Sequence, residues 1–549
     1  MMNIYDQVKS LNESGLYDDL KTVCSLVLTM SENNLEFLSV CQKYQITVFY
    51  GNALYQNEEY KKSESVYRKA LHLKKLINKT KGKSPHGELV SEVDVKYRIH
   101  LCHNQLKQYR EAIGVLEGIN SKQRTARINM ALGQLYQRTG MDRSAITCFK
   151  EVLRECPLSL EAAQGLLVLG VKGTEVTSLM MAGLSGVANL DWLSSWIKAH
   201  SFAASREYNN AISTFKNLDT KACLRDSVNI LCSLGESYVL NGDYNAAIMV
   251  LQRARSIDPL LLKNMDILAF VLAKEKKVKD LENLSSHLVT ITENAPEPWI
   301  ALGYYSMITK KGTRAVYFAQ KAFTLDNRSV QALLLKGVGL LELKRITEAI
   351  MHFREALRLA PHRYEAHKGL VDSYIANHRN REAITLAGNA VKHLGTTARS
   401  LTLYASVLAK EQMSIDKAKN CLEKAMRIDP FNLDAVYVMA DILSSQQQFE
   451  AGITLLRNTL RSQSTHKLHQ LLGDFLTHTN EHQEALDQYS IALSLDHTNT
   501  RARDGMERVQ KHNDMGIESP YEMELEEISD NEAALDGSDM ESGWSDTDL

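Results

Sequence analysis

Apolar residues recur along this chain at two nested periods. Within stretches of about a dozen residues they fall three and four apart, the stripe of an amphipathic helix. These stripes come in pairs, and the pairs repeat at intervals of mostly 33 to 35 residues. With Val330 as position 1, Leu333, Lys336, Gly337, Leu340, Ala349, Phe353, Ala356 and Pro361 occupy positions 4, 7, 8, 11, 20, 24, 27 and 32. The unit from Val228 gives Leu231, Leu234, Gly235, Tyr238, Ala247, Leu251, Ala254 and Pro259 in the same frame. The unit from Pro296 gives Trp299, Leu302, Gly303, Ala315, Ala319, Ala322 and Asn327. Further units start near 44, 93, 126, 160, 192, 262, 364, 399, 433 and 466, those at 160, 262 and 399 being weak.

Seven of the eight positions in the Val330 unit match the tetratricopeptide repeat, Lys336 being the departure. Positions 8, 20 and 27 are small because the two helices of one unit and the first of the next cross closely there. Large apolar residues at 4, 7, 11 and 24 fill the grooves between them. One pair cannot bury its stripe alone, so the pairs must stack. The sequence therefore predicts an all-α protein, a superhelical solenoid of about fourteen tetratricopeptide-type helix pairs. Its expected parts are a degenerate N-terminal repeat at 1–43, a repeat at 44–75, a flexible polar insert at 76–92, and repeats including degenerate ones at 93–227. Regular repeats with a C-terminal cap follow at 228–513, then a disordered acidic tail at 514–549.

Composition adds little to that picture, and charge adds more. At 44% hydrophobic and 24% charged residues the chain has the balance of a folded protein. The formal net charge of −2 hides an asymmetry: residues 514–549 hold thirteen Asp and Glu and no Lys or Arg, so residues 1–513 carry +11. The basic residues are spread over many repeats and not clustered with aromatics, which argues for solvated faces or acidic partners and against nucleic acid. The eight cysteines form no C-x-x-C pair and read as buried thiols in a reducing compartment. The N-terminus lacks a basic segment followed by an apolar run, and the longest apolar stretch, Gly165 to Val171, is too short to span a bilayer. A nuclear or cytoplasmic protein with no membrane contact is expected. Of the eight prolines, none is expected inside a helix, Pro296 and Pro298 preceding one.

No catalytic constellation appears. The sequence has no G-x-x-x-x-G-K-[ST], no H-E-x-x-H, no G-x-S-x-G and no zinc-type cysteine cluster, and its seventeen histidines are scattered. Repeats consume almost the whole chain, so no segment is left for an enzyme domain. The expectation is a protein without catalytic residues, cofactor or metal. Trp192, Trp196 and Trp299 open the first helices of their repeats and read as packing anchors.

In this repeat the first helix lines the concave face, with positions 2, 5, 9, 12 and 13 facing a bound peptide. Position 9 holds Glu236, Asp372, Asp441 and Asp474. Recurrent acid there suits a ligand carrying arginine and repels the C-terminal carboxylate that tetratricopeptide co-chaperones grip.

Several segments go further than the generic repeat: Leu26 to Asn34 (LVLTMSENN), Glu151 to Ala162, Asn189 to Ala199 (NLDWLSSWIKA), Ser329 to Gly337, Glu348 to Pro361 and Glu484 to Asp496. Through them the chain, from its first residues to about residue 510, resembles the subunit 7 family of the anaphase-promoting complex, or cyclosome. That resemblance implies a non-catalytic scaffold of a cell-cycle ubiquitin ligase, in nucleus and cytoplasm and at the mitotic spindle. It implies three partners: a second copy, bound through the N-terminal repeats within about residues 1–160; other tetratricopeptide subunits; and coactivator tails ending in Ile-Arg. The alternative is a tetratricopeptide co-chaperone or general adaptor. An amphipathic N-terminal stripe, Leu11, Leu16, Leu20, Val23, Leu26 and Val27, needs a cover for its apolar side. Phosphorylation is expected outside the repeats, at Ser84 and Ser519, which precede proline, and at Ser529, Ser538 and Ser545, which have an acid three residues later.

Overall fold

A computed structural model describes residues 4–34, 36–79, 89–184, 186–220 and 224–515. Among them lie 29 α-helices, two short 3₁₀ turns and no strand, so fourteen helix pairs are followed by a last helix, Thr500–Met515. This is the all-helical stacked-pair architecture that the periodicity predicts. The chain divides into two compact units, Met1–Leu335 and Lys336–Leu549.

The hairpin inside each pair rests on one backbone device. The fifteenth residue of the repeat frame takes the left-handed conformation at Glu58, Lys107, Gly140, Arg206, Gly242, Lys276, Lys310, Lys344, His378, Gln447 and Asn480. The next amide then reaches back five residues to close the helix end, as from Arg345 N–H to the Leu340 carbonyl and from Gln448 N–H to the Leu443 carbonyl, both at 2.9 Å. Glycine fills this position at only two of the eleven sites, so the sequence does not announce it. The weak unit near 399 lacks the device. Its first helix, Ala398–Leu408, passes through a 3₁₀ turn at Gln412–Ser414 that leaves Met413 fully exposed.

Packing between pairs follows a spacing of sixteen. Gly133, Phe149 and Gly165 form one stack in which a Cβ on either glycine would lie within 3 Å of the ring. Gly337, Phe353 and Gly369 form a second, and Gly473, Tyr489 and Gly505 a third. At Gly303, Ala319 and Leu335 the volumes are exchanged. The middle residue shrinks to alanine, and leucine, where the other stacks have the second glycine, fills the space beside Gly303. The core conserves volume along the array and not residue type.

Four details differ from the sequence expectation. Leu76 to Lys79, assigned to the insert, form the end of the helix Tyr60–Lys79, and the next helix begins at Glu92 behind a Ser91 cap; residues 80–88, with Ser84, lie outside the described residues. Pro296 and Pro298 sit inside the first turn of Pro296–Ile308, where amides have no partner within the helix, so a missing N–H is tolerated. Cys156 is exposed, whereas Cys24, Cys102, Cys148 and Cys232 are buried. The expected C-terminal tail coincides with the cap helix at Asp514 and Met515. From residue 516 on, with Ser519, Ser529, Ser538 and Ser545, it lies outside the described residues.

At the N-terminus, Ile4–Glu13 and Tyr17–Asn33 pack Val8, Leu20, Cys24 and Val27 against Ile46, Phe49 and Ala53 of Val40–Gln56. The stripe is thus split. Leu20 and Val27 are buried, Leu11 and Val23 are partly covered, and Leu16 (50%), Leu26 (61%), Met30 (49%) and Val40 (51%) stay exposed.

Candidate peptide groove

In the unit from Lys336 on, five consecutive first helices present a charged residue at their second position. They are Glu365 on Tyr364–Ala376, Arg399 on Ala398–Leu408, Asp434 on Leu433–Ser445, Lys467 on His466–His478, and Arg501 on Thr500–Met515. The sign alternates along the first four and then stays positive. A second row, seven residues further along each helix, contains Asp372, Asp441 and Asp474. These three acids therefore hold equivalent places in one unit. Glu236, the ninth residue of Val228–Asn241 in the other unit, is exposed.

The first row is braced between repeats by stacking and ion pairing. Arg399 lies 4.0 Å from the centre of the Tyr364 ring while its Nη2 reaches Glu365 Oε1 at 3.4 Å. The Glu365 carboxylate also faces Arg363 Nε at 3.1 Å. Lys467 stands 4.0 Å over Tyr437, whose hydroxyl is 3.2 Å from Thr465 Oγ1. In the other unit Arg127 lies 4.0 Å over Tyr97 with the same spacing between repeats. Such cation–ring contacts between neighbouring repeats hold long side chains against the wall and lower the entropy cost of presenting their charge.

The acids differ in how far they are committed. Asp474 accepts from the Tyr489 hydroxyl at 2.6 Å through Oδ1 and from Gln470 Nε2 at 3.3 Å through Oδ2. It ties the first helix of its repeat to the second. Asp372 belongs to the polar surroundings of the buried Tyr364 phenol, together with Arg399, Asp434 and Glu365, and burial raises that phenol's pKa. Among the described residues Asp441 makes no such hydrogen bond. Its side chain is exposed; partial desolvation nonetheless pushes the carboxyl above the usual aspartate range, while the Lys467 and Arg501 charges pull it down. One carboxylate under the influence of two cations is able to take a zwitterionic end group, with a guanidinium on the acid and a carboxylate on the cations.

The sequence reading singled out the position-9 acids and passed over Glu365, Arg399, Lys467 and Arg501. Their signal was present in the alternating charge at position 2. Trp299 is a packing anchor: it is 7% exposed, its Nε1 donates to the Glu293 carbonyl at 2.8 Å, and Lys321 covers its ring at 3.4 Å. Trp196 is buried as well. Among the described residues no three His, Cys, Asp or Glu side chains gather as metal ligands, and no helix is long and apolar enough to cross a membrane.

Comparison with known proteins places this geometry. Tetratricopeptide-repeat family patterns match residues 126–157, 228–259 and 340–407. The chain is 43% identical over 562 aligned positions to human anaphase-promoting complex subunit 7, covering 99% of both chains. It is 28% identical to the Arabidopsis thaliana protein of the same name, covering 92% of this chain and 94% of that one. Among solved structures, the crystal structure of the APC/C hetero-tetramer Cut9-Hcn1 superposes with a TM-score of 0.57 at 16% identity, over 92% of this chain and 96% of that one, a likeness of fold. The relatives decide between the scaffold and co-chaperone readings: the chain belongs to the anaphase-promoting complex subunit 7 family and is a non-catalytic tetratricopeptide-repeat scaffold with a cell-cycle role.

Proposed function

We propose that this chain works as a homodimeric scaffold of the anaphase-promoting complex, in nucleus and cytoplasm and at the mitotic spindle, and that its C-terminal groove receives partner tails ending in Ile-Arg. The observation that carries the groove reading is that the charges of Lys467 and Arg501, from the next two first helices, both act on Asp441. The terminal guanidinium pairs with Asp441 and the terminal carboxylate with the two cations. Each exposed charge pair contributes about 1 kcal/mol, and more where the groove excludes water. Asp372 is the next acid along the same row, while Asp474 is held back by Tyr489 and Gln470. Glu236 is the corresponding acid for a ligand in the other unit.

Homodimerisation is supported by the exposed apolar residues Leu16, Leu26, Met30 and Val40 on the N-terminal helices. Other tetratricopeptide subunits of the ligase are the remaining partners. Phosphorylation at Ser84, Ser519, Ser529, Ser538 and Ser545 would add negative charge outside the repeats.

The test is calorimetric titration of a peptide ending in Ile-Arg, and of its C-terminal amide, into the full chain and into Asp441→Asn and Lys467→Gln variants. The free-acid peptide should bind wild type several-fold more tightly than either variant, and amidation should cost more affinity in wild type than in Lys467→Gln, where Arg501 alone is left to meet the carboxylate. Binding should also weaken with salt and with falling pH, and it should be lost above the pH where an ordinary aspartate protonates, since Asp441 is shifted upward. Equal affinity across the three proteins would remove the groove from the proposal.

A further inference from the structure

Within the unit Met1–Leu335, two hydrogen bonds join residues about two hundred positions apart. Lys107 Nζ donates to the Thr324 carbonyl at 3.3 Å, and Arg328 Nη1 donates to the Arg138 carbonyl at 2.7 Å. The repeats between them, from the unit near 93 to the unit near 296, make up one turn of the superhelix. Both bonds share one chemistry. Thr324 and Arg138 lie in the last turns of Gly312–Leu325 and Ala126–Thr139, where carbonyls lack a partner within the helix and the helix dipole is negative. In each case the donor is a cation that comes from a tight turn. Lys107 is the left-handed residue between two helices. Arg328 sits in a turn where Asp326 Oδ1 accepts its amide at 3.0 Å. Each end of the turn thus contributes a cation that caps a helix belonging to the other end.

A polar cavity of about 360 Å³, open to solvent, lies along this seam and is lined by Gln134, Gln137, Arg138, Glu161 and Arg328. Gln134 Nε2 donates to Glu161 Oε1 at 2.6 Å, and Arg138 turns away toward the Tyr109 ring, 5.5 Å from its centre. The side chains named at the seam are all polar or charged. Its closure therefore depends on charge acting on helix ends, and the helices on either side keep their own packed cores when it parts.

We infer that Lys107 and Arg328 form an electrostatic clasp that closes one superhelical turn of the array, so that its concave face opens and shuts with ionic strength or with an acidic partner that captures these cations. Packing between adjacent repeats fixes the local step, and a small change in each step accumulates over the turn. Two hydrogen bonds at the seam are then enough to select the closed setting from a soft set of pitches. Each exposed cation-to-helix-end contact shifts that equilibrium by about five-fold at low salt, and the effect fades as screening shortens to about 3 Å near 1 M salt.

The experiment uses the full chain carrying a fluorescence donor and acceptor on non-natural residues at Glu111 and Asn327, diluted into excess unlabelled chain so that only transfer within one chain is read. Transfer efficiency should fall in Lys107→Gln/Arg328→Gln at low salt, and in wild type on raising salt to the variant's value. Arg328→Lys, which keeps the charge, should restore most of the loss seen with Arg328→Gln. The salt titration of the wild type reads the clasp with no substitution at it. Circular-dichroism melts of each protein separate opening from unfolding, since loss of the clasp leaves the helices intact. The same transfer efficiency in wild type at low salt, wild type at high salt and the double variant would overturn the clasp.

Discussion

Gly369→Ala and Gly388→Ala make the same chemical change inside helices of neighbouring position, and the structure predicts opposite signs. In isolation alanine is favoured over glycine in a helix by about 1 kcal/mol. At Gly388, in Asn380–Leu394, a new Cβ meets only Tyr404 Cε2 at 3.7 Å, an ordinary contact, so the propensity gain should appear nearly whole. At Gly369 the Cβ would enter the Phe353 ring, with Cδ1 at 2.8 Å and two further ring carbons closer still. The ring cannot retreat, because on its other side the Gly337 backbone leaves only 2.7 Å from a Cβ position to Cζ, and Phe353 itself is fully buried. Overpacking of this kind costs about 1–3 kcal/mol. Set against the propensity gain, Gly369→Ala should destabilise by about 1 kcal/mol, leaving the two variants about 2 kcal/mol apart. A repeat array need not unfold in one step, so the assay is amide exchange in Tyr364–Ala376 and Asn380–Leu394 alongside urea melts. Phe353→Leu supplies the cycle: the shorter side chain should absorb most of the Gly369→Ala penalty, with a coupling of about 1 kcal/mol. If Gly369→Ala stabilises as much as Gly388→Ala, or if the double variant is additive, the ring is not clamped and the sixteen-residue stacks do not set the spacing of the helices.

Two further outcomes are expected. His200 packs between Trp196 and Phe215, at ring-centre distances of 4.3 and 5.0 Å, and burial, with a smaller push from Lys263, lowers its pKa to about 4. Above pH 6.5 the ring is neutral in both folded and unfolded chains. Below that the unfolded chain takes up a proton that the folded chain refuses, so stability falls by about 3 kcal/mol by pH 4. His200→Phe should flatten this loss, and amide exchange in Asp191–Ala204 at pH 7 and pH 5 checks it; an unchanged pH dependence would mean that the imidazole is already charged in the fold. Leu16→Glu/Leu26→Glu places two carboxylates on exposed apolar positions, so light scattering should report monomers with an unaltered circular-dichroism spectrum, whereas a persistent dimer would move the self-association surface elsewhere.

Much of the fold was legible because the tetratricopeptide period places small residues where backbones touch. Gly133, Gly337 and Gly473 mark position 8, and Phe149, Phe353 and Tyr489 mark position 24, so the pairs could be drawn from sequence. The second glycine of each stack, Gly165, Gly369 or Gly505, was not legible, since its contact is with the preceding repeat. The left-handed turn was also hidden, because Lys344, His378 and Gln447 accept the conformation when back-bonds reaching five residues hold it. Helix ends around the polar insert moved by a few residues for a related reason. LINK, Leu76 to Lys79, stands at the edge of the polar insert, but it extends an existing helix at the cost of one added residue at a time, and Ile77 packs against a core cluster.

The candidate groove shows where reading one position at a time fails. Position 9 alone gives a strip of acids and a field that favours any cation. Position 2 on the same helices restores Arg399, Lys467 and Arg501 beside them, so Lys467 and Arg501 both act on Asp441 and the local field becomes a pattern of alternating sign. A field of one sign would gather basic segments without discrimination and be screened away by salt. Alternating charges, held against the wall by Tyr364 and Tyr437, cancel at a distance and act only on a ligand whose own charges match their spacing. Arginine at a free C-terminus carries such a pair within one residue. An amidated arginine and an internal arginine each lack the terminal carboxylate half of it, and each should bind this face more weakly than the terminal residue does.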